Sequence, residues 1–335
     1  AKEYDITSST LALALGAAPV AAQAPFSVEE VMSYSFASGL VAATDADRIA
    51  WVENHAGVRN IWTAAGPDWT GRAITSFRDD DGQDVTGLTF MPGGERLLFV
   101  RGGGPNRQGE VPDPLSTTAE EERAVWLVDV AGGEPRRVRE GGGYALAPDG
   151  SRIAYAEGRD IFLLGLEDGA EPERLARIRG SAGSLTWSPD GSRLAFVSGR
   201  GDHAFVGVVA PGDARVRYLD PGVASDGSPA WSPDGRRIAF LRVPNERVVH
   251  MFAPRREALP FSIRVADVDA GTSREIFRAR EGVGSVFSGV EADNQLFWGA
   301  GDRIVFPWEG DGWKHLWSVP AGGGSPTLLT PGDFE

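Results

Sequence analysis

The sequence predicts an all-β protein, a β-propeller with six four-stranded blades. Three observations carry this. A short phrase recurs along the chain, as in "WSPDGSRLAFVSGRGD" (187–202) and "WSPDGRRIAFLRVPNE" (231–246). Breakers are abundant, with 44 Gly and 22 Pro and no collagen-like period, which calls for many short elements joined by tight turns. The repeat recurs every forty to sixty-odd residues and each copy reads as four strands, the mark of a propeller blade.

Each element of the repeat has a local cause. Six places show Arg, an aliphatic residue, a small or aliphatic residue, then an aromatic: Arg48-Ile49-Ala50-Trp51, Arg96-Leu97-Leu98-Phe99, Arg152-Ile153-Ala154-Tyr155, Arg193-Leu194-Ala195-Phe196, Arg237-Ile238-Ala239-Phe240 and Arg303-Ile304-Val305-Phe306. Four follow a recognisable turn: "MPGGE" (91–95), "APDGS" (147–151), "SPDGS" (188–192) and "SPDGR" (232–236). In the PDG turns, Pro presets φ, Asp bonds back to the backbone and Gly supplies a left-handed position, so the flanking runs close as a β-hairpin.

A second half-repeat follows each hairpin: strand, Gly-rich turn, strand. Its copies are "NIWTAAGPDWTGRAITSF" (60–77), "AVWLVDVAGGEPRRV" (124–138), "DIFLLGLEDGAEPERLA" (160–176), "FVGVVAPGDARVRYL" (205–219), "SIRVADVDAGTSREIF" (262–277) and "HLWSVPAGGGSPTLLT" (315–330). A lone four-stranded sheet cannot bury both faces. Stacked units bury them against each other, and Trp187 and Trp231 are expected in that packing rather than on a ligand. The only helical signal is "SVEEVMSYS" (27–35), with Ser27 as N-cap.

Composition bounds the partners. The net charge of −14 repels nucleic acid and anionic lipid and favours cationic ligands such as the free amino end of a peptide. Cysteine is absent, which removes disulfides and thiolate metal sites. Residues 1–25 read as a signal-like or disordered N-terminal segment. The apolar run "LALALGAAPVAAQAP" (11–25) is too short to span a bilayer and ends in an Ala22-Gln23-Ala24 cleavage-type site. A periplasmic or secreted location is expected, with residues 26–335 as the propeller.

Two units carry insertions, "GGGPNRQGEVPDPLSTTAEEE" (102–122) and "VPNERVVHMFAPRREALP" (243–260), long enough to be functional. Within them Glu120, Glu121 and Glu122 are candidates to hold a substrate ammonium group, the alternative being a solvated loop end. Arg255 and Arg256 are candidates for a peptide carbonyl or carboxylate, the alternative being a plain surface loop. No catalytic residue is expected in this chain, for there is no G-x-S-x-G elbow. His55, His203, His250 and His315 are scattered and read as structural or solvated, so no metal or other cofactor is expected. "RDDDGQD" (78–84) fails the calcium-loop pattern and reads as a solvated loop.

The ordered phrases "GVRNIWTA", "DDDGQDVTGLTFMPGG", "VWLVDVAGGEPRRV", "SGRGDHAFVGVV", "FAPRREALPFSIRVAD" and "DNQLFWGAGDRIVFPWEGDGWKHLW" resemble the N-terminal half of bacterial prolyl oligopeptidase family serine peptidases, close to dipeptidyl peptidase IV. The resemblance covers about 26–335 and implies part of a seven- or eight-bladed ring over an α/β-hydrolase domain that this chain does not carry. It implies short peptide substrates in the whole enzyme. Glu120–Glu122 lack the D-W-x-x-E-E context of that branch's double-Glu motif. If more blades belong to the ring, the six form an open arc whose edges invite association. The alternative is a stand-alone six-bladed periplasmic binding scaffold of the TolB kind.

Overall fold

The computed structural model describes residues 27–333, apart from 29, 31–32, 105, 109, 112–114, 117–121, 246–256 and 293. The described chain is all-β with a propeller-like arrangement. The first meander contains β1 (Ser35–Ala42), β2 (Arg48–His55), β3 (Val58–Ala65) and β4 (Arg72–Ala73). The second contains β5 (Val85–Phe90), β6 (Arg96–Arg101), β7 (Ala124–Asp129) and β8 (Arg136–Glu140). The third contains β9 (Ala145–Leu146), β10 (Arg152–Glu157), β11 (Asp160–Gly165) and β12 (Glu173–Arg177). The fourth contains β13 (Ser181–Trp187), β14 (Leu194–Gly199), β15 (Ala204–Ala210) and β16 (Asp213–Tyr218). The fifth contains β17 (Ser225–Trp231), β18 (Arg237–Val243), β19 (Ser262–Asp267) and β20 (Ser273–Arg278). The sixth contains β21 (Phe297–Gly299), β22 (Arg303–Trp308), β23 (His315–Pro320) and β24 (Thr327–Leu328).

The expectation of six separate sheets needs correction. Four meanders stand as separate four-stranded sheets, while the fourth and fifth share one eight-stranded sheet. A single parallel bridge, Ala204 to Ser225, joins them. Of the helix expected over 27–35, Val28 and Glu30 are helical and Ser27 caps them. Ser27 Oγ accepts the Glu30 amide at 3.0 Å, and β1 already begins at Ser35.

Packing follows the two-residue period of the strands. Every core cluster mixes residues of two consecutive meanders. Leu97 and Phe99 pack with Ala50 and Ile61, Tyr155 with Leu98 and Val125, and Phe196 with Ala154 and Ile161. Phe240 packs with Val206 and Leu219, and Phe306 with Ile263 and Phe277. The aromatic of the repeated phrase is thus the plug between neighbours, and Phe99, Phe196, Phe240 and Phe306 are all fully buried. Gly207 on β15 makes room for one of them, since a Cβ there would lie 2.5 Å from Phe196 Cζ.

The first strands of successive meanders meet side by side: β1 with β5, β9 with β13, β13 with β17 and β17 with β21. They form the inner edge. Trp187 and Trp231 end two of these strands and are buried, as expected. Each indole also donates to the preceding inner strand, Trp187 Nε1 to the Ala145 carbonyl at 3.0 Å and Trp231 Nε1 to the Thr186 carbonyl at 3.1 Å.

The outer strands carry a second repeated link. Arg72 donates to the Val130 carbonyl, Arg136 to Leu166, Arg217 to Asp269 and Arg274 to Ala321, at 2.5–2.9 Å. In each case a guanidinium reaches the backbone of the next meander. The corresponding residue on β12, opposite Leu163, is Glu173, so the third meander lacks this link.

Candidate functional site

Strands run alternately up and down, so every loop that follows the second strand of a meander emerges at the same end. Both long insertions, after Arg101 and after Val243, therefore rise from one end of the propeller. The PDG turns lie at the other end. There Asp149, Asp190 and Asp234 each accept the amide two residues on, at 3.0–3.1 Å. Hydrogen bonds from Ser188 and Ser192 pull the Asp190 carboxyl down to about 2, and Asp149 and Asp234 shift the same way for the same reason.

The base of the first insertion is clamped by the acidic stretch that precedes β5. Asp81 pairs with Arg101, whose guanidinium lies over the Phe77 ring at 4.3 Å. The Gly102 amide donates to the Asp84 carbonyl at 2.9 Å and the Gly103 amide to Gln83 Oε1 at 3.2 Å. Asp80 and Asp84 face Arg59 at 3.6 and 3.4 Å. The stretch read as a solvated loop is thus tied into ion pairs. Gly102, at φ +121°, is required because a Cβ would meet Arg123 Cα at 2.5 Å.

The base of the second insertion holds the most buried charge in the described chain. Arg242, one residue from the end of β18, makes a two-pronged pair with Asp226 of β17, Nε to Oδ1 at 2.7 Å and Nη2 to Oδ2 at 2.8 Å. It also donates to the Asp220 carbonyl at 2.6 Å. The Asp220 carboxylate accepts from Arg264 at 3.1 Å and from Ser273 Oγ at 2.5 Å. The Asp226 side chain is 1% exposed. Burial pushes its carboxyl up against the pull of Arg242. The Asp226 hydrogen bonds hold Arg242 firmly charged. The far side of this insertion is fastened by Ala258, whose amide donates to Ser285 Oγ at 2.7 Å, and by buried Phe261.

Of the sequence-derived candidates, Glu122 lies at the foot of the first insertion and accepts from Arg137 Nη2 at 2.6 Å, an exposed pair on β8. Glu120, Glu121, Arg255 and Arg256 lie outside the described residues. His250 also lies outside them. His315 is buried with Nδ1 2.9 Å from Asp311 Oδ2. Burial pushes the Asp311 carboxyl up most strongly, but the hydrogen bonds from His315 and the Trp313 amide, with the attraction of His315, together leave it lowered. His203 faces Asp202 at 2.6 Å, and His55 faces Ser35 Oγ at 3.2 Å. Among the described residues no three His, Asp or Glu side chains converge as a metal set, and no helix is long and apolar enough to cross a membrane.

Two features of this end escaped the sequence reading. One is the Arg242–Asp226 pair; its only sequence trace is an arginine closing an apolar second strand, in "AFLR" as in "LLFVR". The other is a bulge repeated on the inner strands. The register of β1, β5, β13 and β17 shifts at Ser38/Val41, Thr86/Thr89, Gly183/Thr186 and Gly227/Ala230. A left-handed residue sits at each, Gly39, Gly87, Ser184 and Ser228, with φ of 47–61°. Bulges of this kind redirect the strand's exposed side chains.

No family profile matches the chain, and no curated protein is similar to it in sequence. Solved structures are similar in fold. A Mycobacterium tuberculosis puromycin-hydrolysing peptidase aligns at TM-score 0.62 with 15% identity, over 87% of this chain and 45% of that one. The β-propeller domain of the Trilobed protease from Pyrococcus furiosus, described as having an open velcro topology, aligns at 0.56 with 13% identity, over 89% and 84%. An oligogalacturonate lyase from Vibrio parahaemolyticus aligns at 0.57 with 15% identity, over 85% and 78%. The chain thus spans less than half of the mycobacterial peptidase. These likenesses establish the β-propeller fold.

Proposed function

We propose that this chain is the substrate-gating propeller of an exported serine peptidase of the prolyl oligopeptidase family, acting on short peptides. The fourth and fifth meanders are taken as two blades, because one parallel bridge is all that joins their sheets. That makes six blades over 26–335, preceded by a signal-like segment over 1–25.

The observation that carries the reading is the placement of both long insertions at one end, each rooted in a buried or clamped arginine. A propeller that roofs a catalytic domain needs firm loop bases at one mouth and a narrow channel that excludes folded proteins. The fold likeness to a puromycin-hydrolysing peptidase supports the same direction. On this reading the candidate acids Glu120–Glu122 are suited to a peptide amino end and the candidate arginines Arg255 and Arg256 to a carbonyl or carboxylate. Exposed Phe36 and Leu40 on the first meander and Phe297 and Leu316 on the sixth fit a ring of seven or eight blades, or association of the open arc.

The test is hydrolysis of chromogenic dipeptide and tripeptide substrates, with a serine-directed inhibitor as control. This chain alone is expected to be inert, and the product of its full reading frame is expected to turn the substrates over. Inhibitor-sensitive turnover by the chain itself would overturn the assignment of catalysis to another domain. A full reading frame without a G-x-S-x-G segment would overturn the peptidase and favour a binding scaffold. Light scattering tests association, and a clean monomer would remove the open-arc part of the proposal.

A further inference from the structure

Between the third and fourth meanders, at the insertion-bearing end, a cleft of about 510 Å³ is lined by Arg159, Arg177, Arg179 and Arg200 around Ile178, Val216 and Tyr218. The lining contains four guanidiniums and no carboxylate. In a chain of net charge −14 such a grouping is against the trend of the surface.

The arginines are not consumed by structure. The side chains of Arg159 and Arg179 have no hydrogen-bond, ion-pair or ring partner among the described residues. Arg177 sees only Asp160, at 3.9 Å, and shares it with Arg174 at the same distance. The other nearby acid, Glu157, is taken by Arg139 at 3.0 Å. Arg200 is held in place, with Nε donating to Ser198 Oγ and Nη2 to the Tyr218 hydroxyl, both at 3.0 Å. That hydroxyl accepts from Arg200 and keeps its own proton for a ligand.

A second arginine-rich cleft supplies the contrast. Arg193, Arg215 and Arg217 line a cavity of about 190 Å³ between the fourth and fifth meanders, but Asp213 and Asp269 line it too. Arg193 pairs with Asp269 at 2.9 Å and Arg215 with Asp213 at 3.1 Å. Charge there is balanced internally. In the larger cleft it is not, and a guanidinium fork is suited to two oxygens of one anion.

We propose that the Arg159/Arg177/Arg179/Arg200 cleft binds a multivalent oxyanion, borne by a phosphoryl group or by a polycarboxylate. The site lies on the outer strands, away from the inner edge, and does not depend on the peptidase reading.

Titration calorimetry at low ionic strength, with inorganic pyrophosphate in one arm and citrate in the other, tests it. Saturable binding at one site is expected, and the tighter arm identifies the source of the oxyanion. Because the net charge disfavours diffuse anion uptake, saturable binding already points to a local site. The double variant Arg159→Gln/Arg179→Gln, with unchanged circular dichroism, is expected to bind roughly tenfold or more weakly. Arg215→Gln in the balanced cleft is expected to bind as the parent does. Mapping phenylglyoxal modification on the unaltered chain gives an independent measure: the bound anion should protect Arg159 and Arg179. No saturable binding in either arm, equal binding by the double variant, or protection elsewhere would overturn the proposal.

Discussion

The interface between the fourth and fifth meanders and the one between the third and fourth are built from the same repeat, yet they use arginine in opposite ways. At the former, Arg193 and Arg217 of the fourth meander both reach Asp269 of the fifth, Arg242 and Arg264 of the fifth reach Asp220 in the connector between them, and the two sheets share a strand bridge. At the latter the outer-strand link is absent, Glu173 standing in its place, and the arginines nearest the seam have few partners or none. Both interfaces keep the same apolar plug and the same indole bond. The apolar contacts hold the meanders together, and the polar groups are free to differ. Where arginine is matched by acid it stitches; where it is not, it is available to something else.

The largest effect is expected from Asp226→Ala, which strands the buried Arg242 charge. A loss of about 3 kcal/mol should appear in urea unfolding. A loss under about 1 kcal/mol would mean that the matched charges beside this interface add little strength. Trp231→Phe keeps the plug and removes the bond to Thr186. It should cost about 1–2 kcal/mol, and Trp187→Phe should cost a similar amount at the other interface. Unequal losses would break the view that the two seams share an apolar and indole core.

Asp190→Ala affects a turn common to both sides of the fourth meander. Its folded carboxyl lies at about 2, below the usual 3.8, so its contribution is present above the usual value and fades as pH falls toward 2. Allowing for solvent screening, the difference from the parent should be about 1 kcal/mol at pH 7 and close to nil near pH 2. Arg274→Met, which removes one outer-strand link, should cost about 1 kcal/mol. Arg159→Ala should change stability by no more than about 0.5 kcal/mol, because it breaks no contact. A larger loss there would show that the unmatched arginines are structural after all.

The fold was legible because the repeat states its own boundaries. Turn chemistry at 91–95, 147–151, 188–192 and 232–236 marks hairpins, and the aromatic that follows each of these turns, Phe99, Tyr155, Phe196 or Phe240, is the residue that the neighbour buries. What the repeat does not state is how neighbouring sheets touch. The Ala204–Ser225 bridge depends on the position of one strand start, which no periodicity records. The charged groups were harder still. Asp226 and Asp220 precede Arg242 by 16 and 22 residues, in a strand and a connector respectively that carry no shared phrase. Sequence reasoning looked for function where residues of one charge are adjacent, as in Glu120–Glu122. The arginines of the outer cleft come instead from a hairpin loop, an outer strand, a connector and a second hairpin loop, and only the stacking of two meanders brings them together.

The indole bonds have a consequence for how such a molecule grows. The donor, Trp187 or Trp231, closes an inner strand, and the acceptor, Ala145 or Thr186, occupies one equivalent place opposite the Ala of the next strand. One copy of the repeat therefore carries both halves of its own coupling, head on one side and tail on the other. A duplicated copy arrives already compatible with its parent, which makes lengthening by tandem copying a short evolutionary step.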